Sequence, residues 1–431
     1  MVRRFYAVLL LLLAAGSLFA QRPDVFEEIR SDDNKRAGLD GLYSFNPVAL
    51  TPAPKGYEPF YISHYGRHGS RYAYSKKIFT EPMKLLEKGR AEGNLTASGE
   101  SLLDTLNNHW KTMQYLIGDL TPLGWEQHQF IGRTMVASFP QVFGKGSRVD
   151  ACSSPTERSI VSMASCCAAI SREATLSFVY AHQGMMDVQA TRPNFGRNPF
   201  AYKGPDQPFP YPLSDDDFLK ARFPAYPRML GRLFKDVDAA LVDYSPAWLI
   251  YYLNLMLEGN RSIPQKDRID LTGLMTEDEL DAFWEVCNYL AYREYYKYRT
   301  PVSAILDDML AKADARLESA ECGADLRFGH DHCLLALLMV MDVDKMGYVA
   351  PTAEEMPVWF QNFRAPMAGN IQLVFYRPRK GRPGDILAKL LLNGEEMPVG
   401  TLTPVSGPYY RWEDLCAFWK SRIAQFVIKN S

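Results

Sequence analysis

The chain has 431 residues, of which 47% are apolar and 23% charged, with a formal net charge of −2. That length allows two domains or one large domain with an insertion, and the composition is that of an ordinary folded protein with a sizeable core. The charge balance leaves no basic footprint for nucleic acid, and no run of like charges marks an interaction tail.

Met1-Val2-Arg3-Arg4 is a short basic start, Phe5 to Ala15 is apolar, Ala20 is small, and Gln21-Arg22-Pro23 turns polar. The pattern predicts a cleavable signal peptide over residues 1–20, with an uncleaved anchor as the alternative. No cysteine follows the apolar run to take a lipid. Cleavage leaves an exported protein, periplasmic or extracellular, with no further stretch long and apolar enough to insert in a membrane.

Residues 21–55 are polar and broken by Pro and Gly, and read as an arm over the surface. Tyr57 to Ser63 reads as a buried strand that leads into the loop Arg67-His68-Gly69-Ser70-Arg71-Tyr72-Ala73. Residues 76–117 read as helical. Thr121 and Pro122 begin another helix, as cap and first helical position. Arg148 to Ser153 is a strand; Ser154-Pro155-Thr156-Glu157 after it has the spacing of a capping box, which puts Arg158 in the first helical turn, a natural anion site. Residues 195–225 look like a long loop, and about 226–318 are helical, so 195–320 is read as an α-helical insertion between two segments, 21–194 and 321–431, of one α/β domain. Asp325 to Phe328 is a short strand, Gly329-His330-Asp331 its turn, and His332 to Met341 an apolar helix. Asn370 to Arg377 and Ile386 to Leu392 are strands, Asn393-Gly394 is a turn, and Trp412 to Ile428 is the last helix.

Seven cysteines (Cys152, Cys166, Cys167, Cys287, Cys322, Cys333 and Cys416) leave at least one thiol unpaired, at spacings that match no zinc motif. Buried free thiols and a disulfide framework both remain open.

Three of these features share a context. His68, Arg158 and His330-Asp331 each follow a strand, and in open α/β sheets ligands bind beyond the carboxyl ends of the strands. A phosphate there meets Arg67, Arg71 and Arg158, whose guanidinium forks suit its oxygens. Neutral His68 can attack phosphorus, and the neighbouring cations favour the neutral ring. Asp331 can protonate the departing oxygen and later take a proton from water, His330 offers a second donor, and no step needs a cofactor or a metal.

With these residues in place the chain resembles the histidine acid phosphatases, the branch with phytases, glucose-1-phosphatases and multiple inositol polyphosphate phosphatases. Arg67-His68-Gly69-Ser70-Arg71 is similar to that family's nucleophile loop, Ser153-Ser154 to Arg158 to the segment with its third phosphate arginine, and Gly329-His330-Asp331 to its proton-donor motif. Leu120-Thr121 with Gly124 and Gln127 resembles a further signature, read as structural. The resemblance implies a three-layer α/β domain with a central, mostly parallel sheet, an inserted α-helical cap domain, and phosphomonoester hydrolysis through a phosphohistidine at His68. The chain departs from the family's pattern at Ala73, where proline is common. Tyr72 is like the inositol polyphosphate branch, whereas His330-Asp331-His332 differs from that branch's His-Ala-Glu and is closer to the acid phosphatases and phytases.

Other residues have blander readings. His64 is packed or supports His68; His109, His128 and His182 are structural; His332 is a pocket or surface residue; Asp325 and Arg327 are ordinary face residues. Lys76, Lys77, Arg192 and Arg197 are read as solvated, although each can meet a further phosphate. Two other functions compete: a protein that binds a small phosphorylated ligand without turnover, and a metal-dependent phosphohydrolase, which needs more paired histidines and aspartates than the chain supplies.

Overall fold

The computed structural model describes residues 24–428 except 175–176, 195–197, 199, 206, 272, 320 and 381–382, so the segment expected to be a signal peptide and Arg197 lie outside the described residues. The fold is mixed α/β around one sheet. Its strands are β1 (Tyr57–Arg67), β2 (Arg148–Ser153), β3 (Phe178–Gln183), β4 (Gly323–Gly329), β5 (Asn370–Pro378), β6 (Leu387–Leu392) and the short β7 (Glu395–Glu396) and β8 (Tyr410–Arg411). The order is β3-β2-β4-β1-β5-β6-β7, with β8 on β6. β3, β2, β4 and β1 run parallel, whereas β5 is antiparallel to β1.

β4 and most of β1 are buried, as strands covered on both faces must be. Asp325 and Arg327 are therefore not ordinary face residues. Arg327 is fully buried and pairs with Asp308 at 2.6 Å, and Asp325 is held by Arg316 at 3.2 Å and by the Tyr61 hydroxyl at 2.8 Å. A central strand leaves no solvent for a charge, so each needs a fixed partner.

Between Gln183 and Gly323 the described residues form helices and no strand. The apolar cluster is continuous from Tyr61 and Phe375 on the sheet to Phe283 and Tyr289 in that helical stretch. Three segments differ from the sequence reading. The arm carries helices at Val25–Ser31 and Asp33–Arg36 and a 3-10 turn at Gly38–Asp40. Residues 76–117 are two helices, Lys77–Ala91 and Ala97–Met113, parted at Gly93, whose φ of +67° suits glycine. The loop before 226 holds a helix at Asp215–Arg222, capped by Ser214. All seven cysteines are free thiols. No helix among the described residues is long and apolar enough to cross a membrane.

Candidate active site

The parallel strands end side by side. Arg67 of β1 is level with Gly329 of β4, and Ser153 of β2 with Phe328. With β4 in the middle, the loops after all three strands open at one edge. His68 N–H donates to the Gly329 carbonyl at 3.0 Å and Ser154 N–H to Phe328 at 2.9 Å, so the three turns are tied at the backbone. A cavity of about 520 Å³ lies above them, lined by Arg67, His68, Arg71, Arg158, His330 and Asp331 among others. Every site residue read from the sequence lies at this one cavity.

The His68 loop is held from below by the Pro122–Ser138 helix. Thr121 caps that helix and also donates to the Ser70 carbonyl, while Gln127 Oε1 accepts from Ser70 N–H at 2.8 Å. Gly69 packs against Gly124: a Cβ on Gly69 would lie 2.5 Å from the Gly124 carbonyl oxygen. Gly69 N–H donates to Ser162 Oγ at 3.0 Å. These residues position the loop and do not enter the cavity lining.

His68 Nδ1 lies 2.9 Å from the Gly69 carbonyl. A carbonyl can only accept, so Nδ1 carries the proton and Nε2 keeps its lone pair. Burial, with Arg158 and Arg67 nearby, holds the ring well below the ordinary histidine range and hence neutral. Arg67 spends Nη1 on the Leu39 and Ala365 carbonyls, yet its Nε and Nη2, like Nε of Arg71 and Arg158, are buried without an acceptor among the described residues. Buried guanidinium donors are costly unless something anionic meets them.

His330 meets His68 edge to face, with ring centroids 5.5 Å apart. The expected capping box does not form. Thr156 is the N-cap of the Glu157–Glu173 helix and makes no side-chain cap, while Ser154 Oγ turns instead to His330 Nε2 at 2.9 Å. Arg158 does fall in the first turn. Asp331 opens the next helix and accepts from Tyr295 Oη at 3.0 Å. Burial pushes its carboxyl up, but Arg67 and His332 outweigh that and hold it well below the usual carboxylate range. His332 lies with Nδ1 3.7 Å from Asp331 Oδ1. Its burial favours the neutral ring, but the Cys333 sulfur and the Asp331 carboxylate override this and raise it to about 9. Among the described residues no group of three or more His, Cys, Asp or Glu is arranged to hold a metal ion.

No family model and no curated protein matches the chain. Among solved structures it is similar to the Bifidobacterium longum multiple inositol polyphosphate phosphatase complexed with inositol hexasulfate, with a TM-score of 0.69 and 15% identity over 88% of this chain and 96% of that one. The phytase from D. castellii gives 0.64 and 12% over 91% and 85%, and the Klebsiella sp. phytase 0.52 and 12% over 87% and 96%. The chain has the phytase fold.

On this phytase fold the cavity also takes residues that the sequence did not single out. Asp40, from the 3-10 turn of the supposed arm, is buried with Oδ1 3.8 Å from Arg71 Nη2. Burial pushes its carboxyl up, and Arg71 and Arg67 pull it partly back. Tyr295 comes from the long Glu277–Tyr296 helix. Nothing local marks either one, because both meet the site only through tertiary packing. Arg192, read as solvated, lines the cavity and donates to Thr156 Oγ1 at 3.3 Å. His64 and His128 are packed behind the loop against Phe328. His109 and His182 lie outside the cavity lining, with His182 paired to Asp187. Lys76 and Lys77 are exposed and outside it as well.

Proposed function

We propose that the chain is an exported phosphatase that hydrolyses phosphomonoesters through a phosphohistidine at His68. The observation that carries this reading is the contact of His68 Nδ1 with the Gly69 carbonyl. The Nδ1 proton is committed to Gly69, so a nucleophilic Nε2 remains among the donors of Arg67, Arg71 and Arg158. In the first step the Nε2 lone pair forms a bond to phosphorus as the ester P–O bond breaks, and the departing oxygen takes a proton from Asp331. In the second, water attacks phosphorus, gives its proton to Asp331, and the P–N bond breaks. The guanidinium groups offset the charge on the non-bridging oxygens. Ser154 Oγ–H, donating to His330 Nε2, leaves His330 Nδ1–H for the phosphate. The helical stretch 195–320 acts as the inserted cap, supplying Tyr295 and an aromatic wall opposite the strand ends.

Asp331 must be protonated to act as an acid, and the cationic side chains around it hold it ionised. The incoming phosphate adds negative charge beside it and offsets Arg67, which raises its proton affinity. Protonated His332 beside it works the other way and helps to hold the carboxylate ionised until the phosphate arrives.

The test is alkaline quenching during turnover of an aryl phosphate, followed by mass spectrometry of the His68 peptide. A phosphorylated His68 is expected, with turnover lost in His68→Ala and indifferent to chelator. Turnover that survives in His68→Ala overturns the mechanism, and loss in chelator favours the metal-dependent reading. The ionised Asp331 favours one other reading, a phosphate-ligand-binding protein without turnover. Phosphate binding with no aryl phosphate turnover anywhere between about pH 4 and 7 would establish it.

A further inference from the structure

The cavity has more cationic side chains than one phosphate needs, but they are not equally available. At its inner end, Arg67 and Arg158 have no carboxylate in salt-bridge range among the described residues, and both keep buried donors without an acceptor. Elsewhere on the lining, Arg36 is bound by Asp33 at 2.6 Å and Glu277 at 2.5 Å, with Asp281 at 3.6 Å. Arg293 is paired with Asp215, which lines the same cavity. A second phosphate drawn to Arg36 or Arg293 would have to displace these carboxylates.

The rest of the lining points the same way. Asp40 presents a buried carboxylate beside Arg71, with no donor in hydrogen-bond range among the described residues. A carboxylate there repels a neighbouring phosphate and accepts well from a hydroxyl. Trp248 and Tyr251, 5.7 Å apart edge to face, add flat apolar surface to the outer wall. Such faces suit the C–H side of a ring and carry no positive charge.

We propose that this cavity selects a monophosphate ester whose remaining part is uncharged and hydroxyl-bearing, with Asp40 accepting from a substrate hydroxyl, over a polyphosphate. The inference rests on the phosphomonoesterase reading and narrows its substrate class. The single phosphate takes the inner arginines, the hydroxyl-bearing body lies against the aromatic wall, and the outer arginines stay with their own carboxylates.

The experiment compares kcat/KM of the full chain for an aryl phosphate, a hexose monophosphate and inositol hexakisphosphate. The hexose monophosphate is expected to exceed the hexakisphosphate by about tenfold or more. Asp40→Ala should lower the hexose-to-aryl ratio by about tenfold. Asp215→Asn, which frees Arg293 at the surface and leaves the buried lining alone, should raise the hexakisphosphate-to-aryl ratio. Equal or better turnover of the hexakisphosphate by the unmodified chain overturns the inference and leaves the phosphatase reading standing. An unchanged hexose-to-aryl ratio in a folded Asp40→Ala variant overturns the role of Asp40. Failure to turn over any of the three esters removes the phosphatase reading, and this inference with it.

Discussion

The Tyr295 hydroxyl donates to Asp331 Oδ2 across 3.0 Å, tying the Glu277–Tyr296 helix to the first turn of the helix after β4. A hydrogen bond to a carboxylate favours its charged form, so this contact works against Asp331 as an acid. Removing it in Tyr295→Phe should raise the Asp331 pKa. The basic limb of the kcat profile for an alkyl phosphate then moves to higher pH. A pH–rate series on the variant checks this, and an unmoved limb would separate Tyr295 from the protonation of Asp331.

Asp331→Asn cannot donate and accept the proton in turn. The loss should depend on the leaving group: about 10²-fold or more for an alkyl phosphate and far less for an activated aryl phosphate. Steady-state rates on the two esters decide it. Equal loss on both would argue against Asp331 as the proton donor.

Gly69→Ala places a methyl 2.5 Å from the Gly124 carbonyl oxygen, which belongs to the backbone of a capped helix and cannot swing aside. Overpacking of this kind costs about 1–3 kcal/mol and strains the loop that carries His68. The variant should therefore lose both melting temperature and most of its turnover. Native values of both would show that the helix yields instead.

Acid should destabilise the fold before it reaches the carboxylates. Burial lowers His64 and His128 from the ordinary 6.5 to about 3, with His128 adding to the effect at His64. Neither ring nitrogen of His64 has a hydrogen-bond partner among the described residues. Because the folded-state values are depressed, the unfolded chain binds these protons first. The stabilisation is complete above about pH 6.5 and is lost as pH falls toward 3. Two such groups give a slope of about 3 kcal/mol per pH unit within that window. His128→Leu should halve the slope in denaturant titrations at successive pH values, and an unchanged slope would place the loss elsewhere. An enzyme with an acidic working range would then trade stability for a protonated Asp331.

The parts of the site carried by short contiguous runs were legible in the sequence. His68 with Arg67 and Arg71, Arg158 in a first helical turn, and His330-Asp331 each follow a strand whose pattern is local, and β4 brings them together. What escaped depends on distant packing. Asp40 sits in a stretch too broken to read, and Tyr295 is one tyrosine among several on an amphipathic helix. Ser154 shows how a local rule loses to a tertiary one. Its spacing fits a cap, but a buried imidazole offers the hydroxyl a better-defined partner. Arg327 reads as a surface charge only until the strand carrying it proves central, where burial demands the Asp308 carboxylate. The edge strand β3, half exposed and of mixed composition, had no pattern to announce it.

The placement of β4 between β1 and β2 also sets an order of events during synthesis. The ribosome makes the two flanking strands first, and the piece that joins them emerges well over a hundred residues later. A nascent chain can form helices and hold β2 against β3, but it has no anion site until residue 330 is out and threaded into the gap. Such long-range closure slows folding and leaves the unpaired edges of β1 and β2 exposed in the meantime, so chaperone protection matters most for chains stalled before that point.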